Sequence, residues 1–329
     1  MTRKISVLLV SLLISTGAST SAEAIIYGTH IVVPHGKHRS IGSLWLKTNG
    51  AWEQFCTATL IAPRVVLTAA HCVRGDPYQN AKMRSRERRI MAGNKGQFRT
   101  SEGARYTIKR TFIPNNFSYS NWPFRKSTSD IGDVAIATLD RAVTGVRRFA
   151  LATAEQQLSI GSTVELFGFG RTSPGGGASD MLVYGEATVD QVSLDIYGYD
   201  TWFATEASLC GGDSGGPSVQ YRDENGDLLD EPVLVGVHSY GACIPNLFGW
   251  GRGADIRVGD YHGWIMGVLQ QNNLLAWNDE TTEGANKADQ SAAEEFEAQG
   301  CSTSGGSNPA PTALLLLCII VLALRRRTT

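Results

Sequence analysis

A serine set in Cys210-Gly211-Gly212-Asp213-Ser214-Gly215-Gly216-Pro217 has the surroundings of an activated nucleophile: glycines permit a tight turn, and a carboxylate precedes the hydroxyl. A serine hydroxyl is a poor nucleophile at neutral pH. It needs a base to take its proton, a carboxylate to orient that base, and N–H donors for the oxyanion that forms. Candidates for base and acid lie upstream. His71 closes the run Leu67-Thr68-Ala69-Ala70-His71-Cys72, and Asp133 heads the alternating stretch Asp133-Val134-Ala135-Ile136-Ala137-Thr138-Leu139, with Asp130 as a nearby rival. An acid in this role accepts the imidazole N–H, holds the useful tautomer and stabilises the imidazolium.

The elements that must position these groups read as β-strands. The chain has 329 residues, 42% apolar and 19% charged, which is globular composition for one large or two ordinary domains. Its formal charge of -1 gives no polyanion signal, which argues against a nucleic-acid partner. Thirty-six glycines and short apolar runs between turn residues favour an all-β chain. Strand-like segments fall at Ile41–Lys47, Phe55–Ala62, Val65–Ala69, Val164–Gly168 and Met181–Ser193, with Asn49-Gly50 as a turn signal. Trp264, Ile265, Val268 and Leu269 have helical spacing within Tyr261–Asn272, which predicts a closing helix.

The ordered set of motifs resembles the trypsin-like serine proteases. Cys210–Pro217 matches that family's nucleophile signature, Leu67–Cys72 its base segment and Asp133–Leu139 its acid segment, while Gly168-Phe169-Gly170 is similar to a turn of its second barrel. The resemblance implies two six-stranded antiparallel β-barrels with a C-terminal helix, and a triad of His71, Asp133 and Ser214. It also implies an oxyanion hole from the N–H groups of Gly212 and Ser214, and disulfides Cys56–Cys72 and Cys210–Cys243. No cofactor or metal is expected, because the spacing of His30, His35 and His38 fits no zinc motif. The letters around Ser214 also satisfy Gly-x-Ser-x-Gly, but an α/β-hydrolase places its acid and histidine after the serine, and here they precede it. The other class of function is a non-catalytic protein-binding module on the same fold.

By the same resemblance, Val235–Gly241 is the strand on which an extended substrate pairs through its backbone. The substrate-binding residues implied are Ser208 at the pocket base, His238, Ser239, Tyr240, Gly241, Gly253 and Asp255. Gly241 and Gly253 are expected to leave the pocket walls open. In some relatives a histidine at the place of His238 accompanies a preference for glutamate, whereas Asp255 argues the opposite way, leaving acidic and large neutral side chains both open.

Residues 1–24 read as a secretory signal: Arg3 and Lys4, an apolar run from Ile5 to Ile14, and a cleavage site at Ala22-Glu23-Ala24. Cleavage there would make Ile25 the first residue, and the family resemblance implies that its ammonium pairs with Asp213. The protease domain is expected over residues 25–272, followed by a disordered linker over 273–312 and an apolar tail with a basic stop over 313–329. Gly300-Cys301, the apolar run Ala313–Leu324 and Arg325-Arg326-Arg327 resemble bacterial sorting tags of the MYXO-CTERM type. That resemblance implies sorting machinery as a partner and export to the cell surface or medium after C-terminal processing; the protein is expected to be a monomer. Six cysteines fit export, with Cys301 and Cys318 outside the catalytic region. The basic run Lys82–Arg89 reads as a solvated loop, with a substrate-recruiting surface as the rival reading.

Overall fold

The computed structural model describes residues 25, 28–31, 36–74, 95–115, 117, 132–156, 158–171, 176–192, 201–204, 208–223, 225–241, 243 and 252–275. The signal segment, His35, the basic run Lys82–Arg89 and the chain beyond Leu275 lie outside them.

After a two-residue strand β1 (Thr29–His30) and a 3-10 turn (Gly36–Ser40), six strands build the first barrel. They are β2 (Ile41–Thr48), β3 (Ala51–Ala62), β4 (Val65–Thr68), β5 (Gly96–Thr100), β6 (Arg105–Phe112) and β7 (Ala135–Leu139), closed in the order β2-β3-β4-β7-β6-β5. Apolar side chains from these strands, including Ile41, Leu44, Leu60, Phe98, Ile108 and Ile136, fill the interior. The turn that the sequence marks at Asn49-Gly50 takes positive φ at both residues, 52° and 87°, as a two-residue hairpin requires. β3 therefore begins at Ala51, four residues ahead of the expected start, because Thr48 pairs with Ala51 directly across the turn.

The second barrel uses β9 (Thr163–Gly168), β10 (Val183–Val192), β11 (Thr201–Ala204), β12 (Pro217–Arg222), β13 (Leu228–Gly241) and β14 (Arg252–Arg257). The path β10-β11-β14-β13-β12-β9 closes on itself because β9 also pairs with β10, while β1 adds to β10 and the short β8 (Ala150–Leu151) lies parallel to β13. Two six-stranded barrels are thus the fold, as the sequence led us to expect. The single-turn helix α1 (Ala70–Val73) follows β4, and α2 (Val258–Gln271) closes the described chain. α2 starts three residues earlier than its apolar spacing suggests. Val258 is buried there and Asp260 lies in the first turn, where a carboxylate complements the helix N-terminus.

Among the described residues no helix is long and apolar enough to cross a membrane.

Candidate active site

The register of β4 against β7 brings His71 and Asp133 together. Thr68 pairs with Ala135, so the chain leaving β4 into α1 runs beside the residues that enter β7. Asp133 is fully buried there and grips His71 at two points. One carboxylate oxygen accepts the His71 backbone N–H at 2.8 Å, and the other lies 2.8 Å from imidazole Nδ1. Holding both backbone and ring fixes the position and the rotation of the imidazole. A tenth of the His71 side chain is exposed while Asp133 has no exposure, so the accessible side of the ring is the side away from the acid. The Cys56–Cys72 disulfide ties α1 to β3.

Ser239 also reaches Asp133, its hydroxyl donating to the Nδ1-bound oxygen at 2.5 Å. A bulge in β13 explains this: His238 pairs with Asp255 and Tyr240 with Ala254, leaving Ser239 as the extra residue. The hydroxyl of Ser239, expected among the substrate-binding residues, thus supports the Asp133 carboxylate.

The Ser214 turn comes from the second barrel and presses on the first. Ser214 O accepts the Thr57 backbone N–H at 2.9 Å, and Gly212 O accepts the Thr57 hydroxyl at 2.9 Å. The same hydroxyl accepts the Phe169 N–H at 3.1 Å, so Thr57 fastens β3 to two segments of the second barrel. The Cys72 sulfur lies 3.8 Å from His71 Nε2 and 3.5 Å from Ser214 O, touching both the imidazole and the Ser214 backbone. Gly215, at φ +83°, has no room for a side chain: a Cβ would collide with the Thr68 hydroxyl and lie 2.5 Å from Thr57 O. Gly212 takes φ +111°, and among the described residues neither its N–H nor that of Ser214 has a protein acceptor. These are the two donors expected for the oxyanion.

Asp213 is fully buried and accepts the N–H groups of Gly170 at 2.8 Å and Cys210 at 2.9 Å. The backbone of buried Ile25 hydrogen-bonds to it as well, and burial pushes its carboxyl up to about 6 against these stabilising bonds. Ile25 and Asp213 thus meet, with Ile25 at φ +50°, an uncommon conformation for a β-branched residue.

Leu209, 2% exposed, packs against both glycine walls: a Cβ on Gly241 would lie 2.5 Å from Leu209 Cβ, and one on Gly253 2.7 Å from Leu209 Cδ1. Ser208 is buried with its hydroxyl 3.5 Å from Leu209 O, and Tyr240 takes a backbone place in β13. His238 and Asp255 are both wholly buried and paired, Nδ1 to Oδ1 at 2.8 Å, and the Ser218 hydroxyl donates to the other Asp255 oxygen. The Asp255 carboxyl group is therefore held inside the barrel. Among the described residues His238 Nε2 is buried without a hydrogen-bond partner.

Cys210 and Cys243 form the second disulfide. The group Cys56, His71 and Cys72 has metal-ligand atom types within a small radius, but both sulfurs are committed to a disulfide and are not thiolates. Sequence reasoning passed over Thr57, Leu209 and Ser218. Leu209 adjoins the signature, which is the one signal that could have marked it.

A family model described as Trypsin matches residues 27–265. Serine protease SP24D of Anopheles gambiae is 30% identical over 226 residues, covering 66% of this chain and 72% of that protein. Trypsin, alkaline C of Manduca sexta is 28% identical over 230 residues, covering 68% and 83%. Among solved structures, human heparin binding protein is similar in fold, with a TM-score of 0.54 at 19% identity, covering 75% of this chain and 97% of that one. With the fold, the two disulfides and the family match in agreement, the chain belongs to the trypsin family of serine proteases.

Proposed function

We propose that this chain is an exported serine endopeptidase that cleaves peptide bonds through an acyl-enzyme on Ser214. The observation that carries the reading is the double hold of Asp133 on His71, beside a serine turn whose two oxyanion donors have no protein acceptor among the described residues. Ser214 Oγ attacks the scissile carbonyl carbon as its proton passes to His71 Nε2. Asp133 stabilises the resulting imidazolium, and the N–H groups of Gly212 and Ser214 hold the oxyanion. The tetrahedral intermediate collapses, the leaving amine takes the proton from His71, and water repeats the sequence to release the acid.

Export is supported by the signal-like segment 1–24 and by two disulfides, which persist in oxidising compartments. In this reading cleavage after Ala24 frees the Ile25 ammonium, which replaces a neutral N–H at Asp213 and steadies the turn that carries the oxyanion donors. A bacterial source, a protease domain over 25–272 and a C-terminal tail processed by sorting machinery belong to the same proposal, on the order of Cys301, Ala313–Leu324 and Arg325–Arg327.

Hydrolysis of an unfolded protein by the secreted chain, assayed beside Ser214→Ala, tests the reading. Cleavage by the wild type alone supports it. Equal cleavage by both contradicts it, and cleavage by neither favours the binding-module alternative.

A further inference from the structure

Arg171 sets a positive charge beside the oxyanion turn. Its backbone N–H donates to Gly211 O at 3.0 Å, which fastens it to the residue just before the oxyanion donor Gly212. Its side chain lies over the same residue: a Cβ built on Gly211 would sit 3.8 Å from both Arg171 Cδ and Nε. Arg171 and Gly211 are both exposed, and among the described residues the guanidinium has no hydrogen-bond or ion-pair partner. Other exposed or half-buried arginines hold an acceptor, as Arg39 does with Glu102, Arg141 with Asp140 and Arg222 with Gly226 O. A cation left uncommitted at the rim of the site, next to a residue with no side chain to cover it, is placed to meet a negative charge that arrives with the substrate.

The surroundings decide which half of the substrate it meets. In the proposed reaction the leaving amine takes its proton from His71 Nε2. The Cys72 sulfur is 3.8 Å from that nitrogen, and its disulfide leads to Cys56 on β3. Two residues before Cys56 on the same strand, Gln54 donates its amide N–H to Phe169 O, and Arg171 follows two residues after Phe169. A path of contacts thus joins the nitrogen that releases the leaving group to the segment that carries Arg171. The acyl half is expected along β13, and Gly211 stands between the two sides. Its N–H points to Cys243 Sγ at 3.3 Å, just beyond the end of β13, while its carbonyl points to Arg171.

We infer that Arg171 determines specificity for the leaving half of the substrate: its guanidinium pairs with a carboxylate on one of the first three residues after the scissile bond, so that peptides acidic there are cleaved in preference. An extended chain advances about 3.3 Å per residue, so three residues cover about 10 Å, within reach of a long side chain at the rim. The inference rests on the endopeptidase reading and gives it a substrate class.

The test uses peptides built around a bond that the secreted protein cuts in an unfolded protein. They differ only by glutamate or glutamine at the first, second or third residue after the bond, with a matched pair changed on the acyl side. Each is cleaved by the secreted protein, Arg171→Gln and Arg171→Glu, and active enzyme is counted by titration of Ser214 with a fluorophosphonate. At the preferred position glutamate should raise kcat/KM about threefold to tenfold over glutamine in the wild type, the range of an exposed to half-screened ion pair. That ratio should vanish in Arg171→Gln, invert in Arg171→Glu, and shrink in the wild type as salt is raised to about 1 M. A wild type that favours glutamate at none of the three positions overturns the proposal whether or not the variants fold. So does a preference that persists in folded Arg171→Gln, or one confined to the acyl side. Failure of the wild type to react with the fluorophosphonate removes the endopeptidase reading and this proposal with it. Reaction without the charge preference removes this proposal alone.

Discussion

Asp133 contacts His71 through both carboxylate oxygens, one on the backbone N–H and one on Nδ1, each at 2.8 Å. The acid therefore sets both where the base sits and which face it presents. Asp133→Asn preserves the shape but can offer an N–H where an acceptor is required, favouring the wrong imidazole tautomer. Its kcat should fall by roughly 10⁴-fold with a much smaller change in KM, as for the equivalent change in the serine-protease triad. A fall below tenfold in steady-state assays would count against the assigned role.

The Thr57 hydroxyl fixes the Gly212 carbonyl and receives the Phe169 N–H across the barrel boundary. Thr57→Val keeps the volume, removes the hydroxyl and leaves both partners unpaired. The expected cost is about 1–3 kcal/mol in denaturant unfolding, together with a loss in kcat because the oxyanion turn is freed. Unchanged stability and kcat would show that the bridge is dispensable.

With residues attached ahead of it, Ile25 gives Asp213 only a neutral backbone bond, and burial raises the carboxyl from 3.8 to about 6. A raised folded pKa stabilises the protonated form. That contribution is complete below pH 3.8 and is lost as pH rises through about 6. The uncut chain, carrying Ser214→Ala, should therefore lose stability over this window. A chain beginning at Ile25 should lack that decline, because the new ammonium draws the carboxyl down and moves its stability change to lower pH. Melting temperatures of the two forms between pH 4 and 7 check this, and superimposable profiles would contradict the pairing.

The Cys56–Cys72 disulfide closes a separation of 16 residues and anchors the turn that bears His71. Replacing both cysteines with alanine should cost about 3 kcal/mol by the chain-entropy estimate. kcat should fall further than the loss of folded protein explains, measured by unfolding and by rate per active site. A double variant with wild-type kcat per active site would place the disulfide's role in stability alone.

Much of this arrangement is legible in the sequence because its signals are local. The glycine-bracketed serine, the Asn49-Gly50 turn and the apolar spacing of α2 each carry their own conformational reason. Thr57 is different: its partners Gly212 and Phe169 are 155 and 112 residues away, and in sequence it is an ordinary strand threonine. Ser239 depends on a bulge that only the pairing of β13 with β14 reveals. Gly241 and Gly253 are legible as positions without a side chain, but their close approach to Leu209 is not, because it depends on how β13 and β14 lie against the segment before Cys210.

The most direct measurement is intact-mass and peptide-map analysis of the secreted protein after reaction with a fluorophosphonate. The account predicts one adduct per chain, on Ser214, abolished in His71→Ala and in Ser214→Ala. A folded wild-type protein that takes up no adduct, or takes it up at another residue, would contradict it.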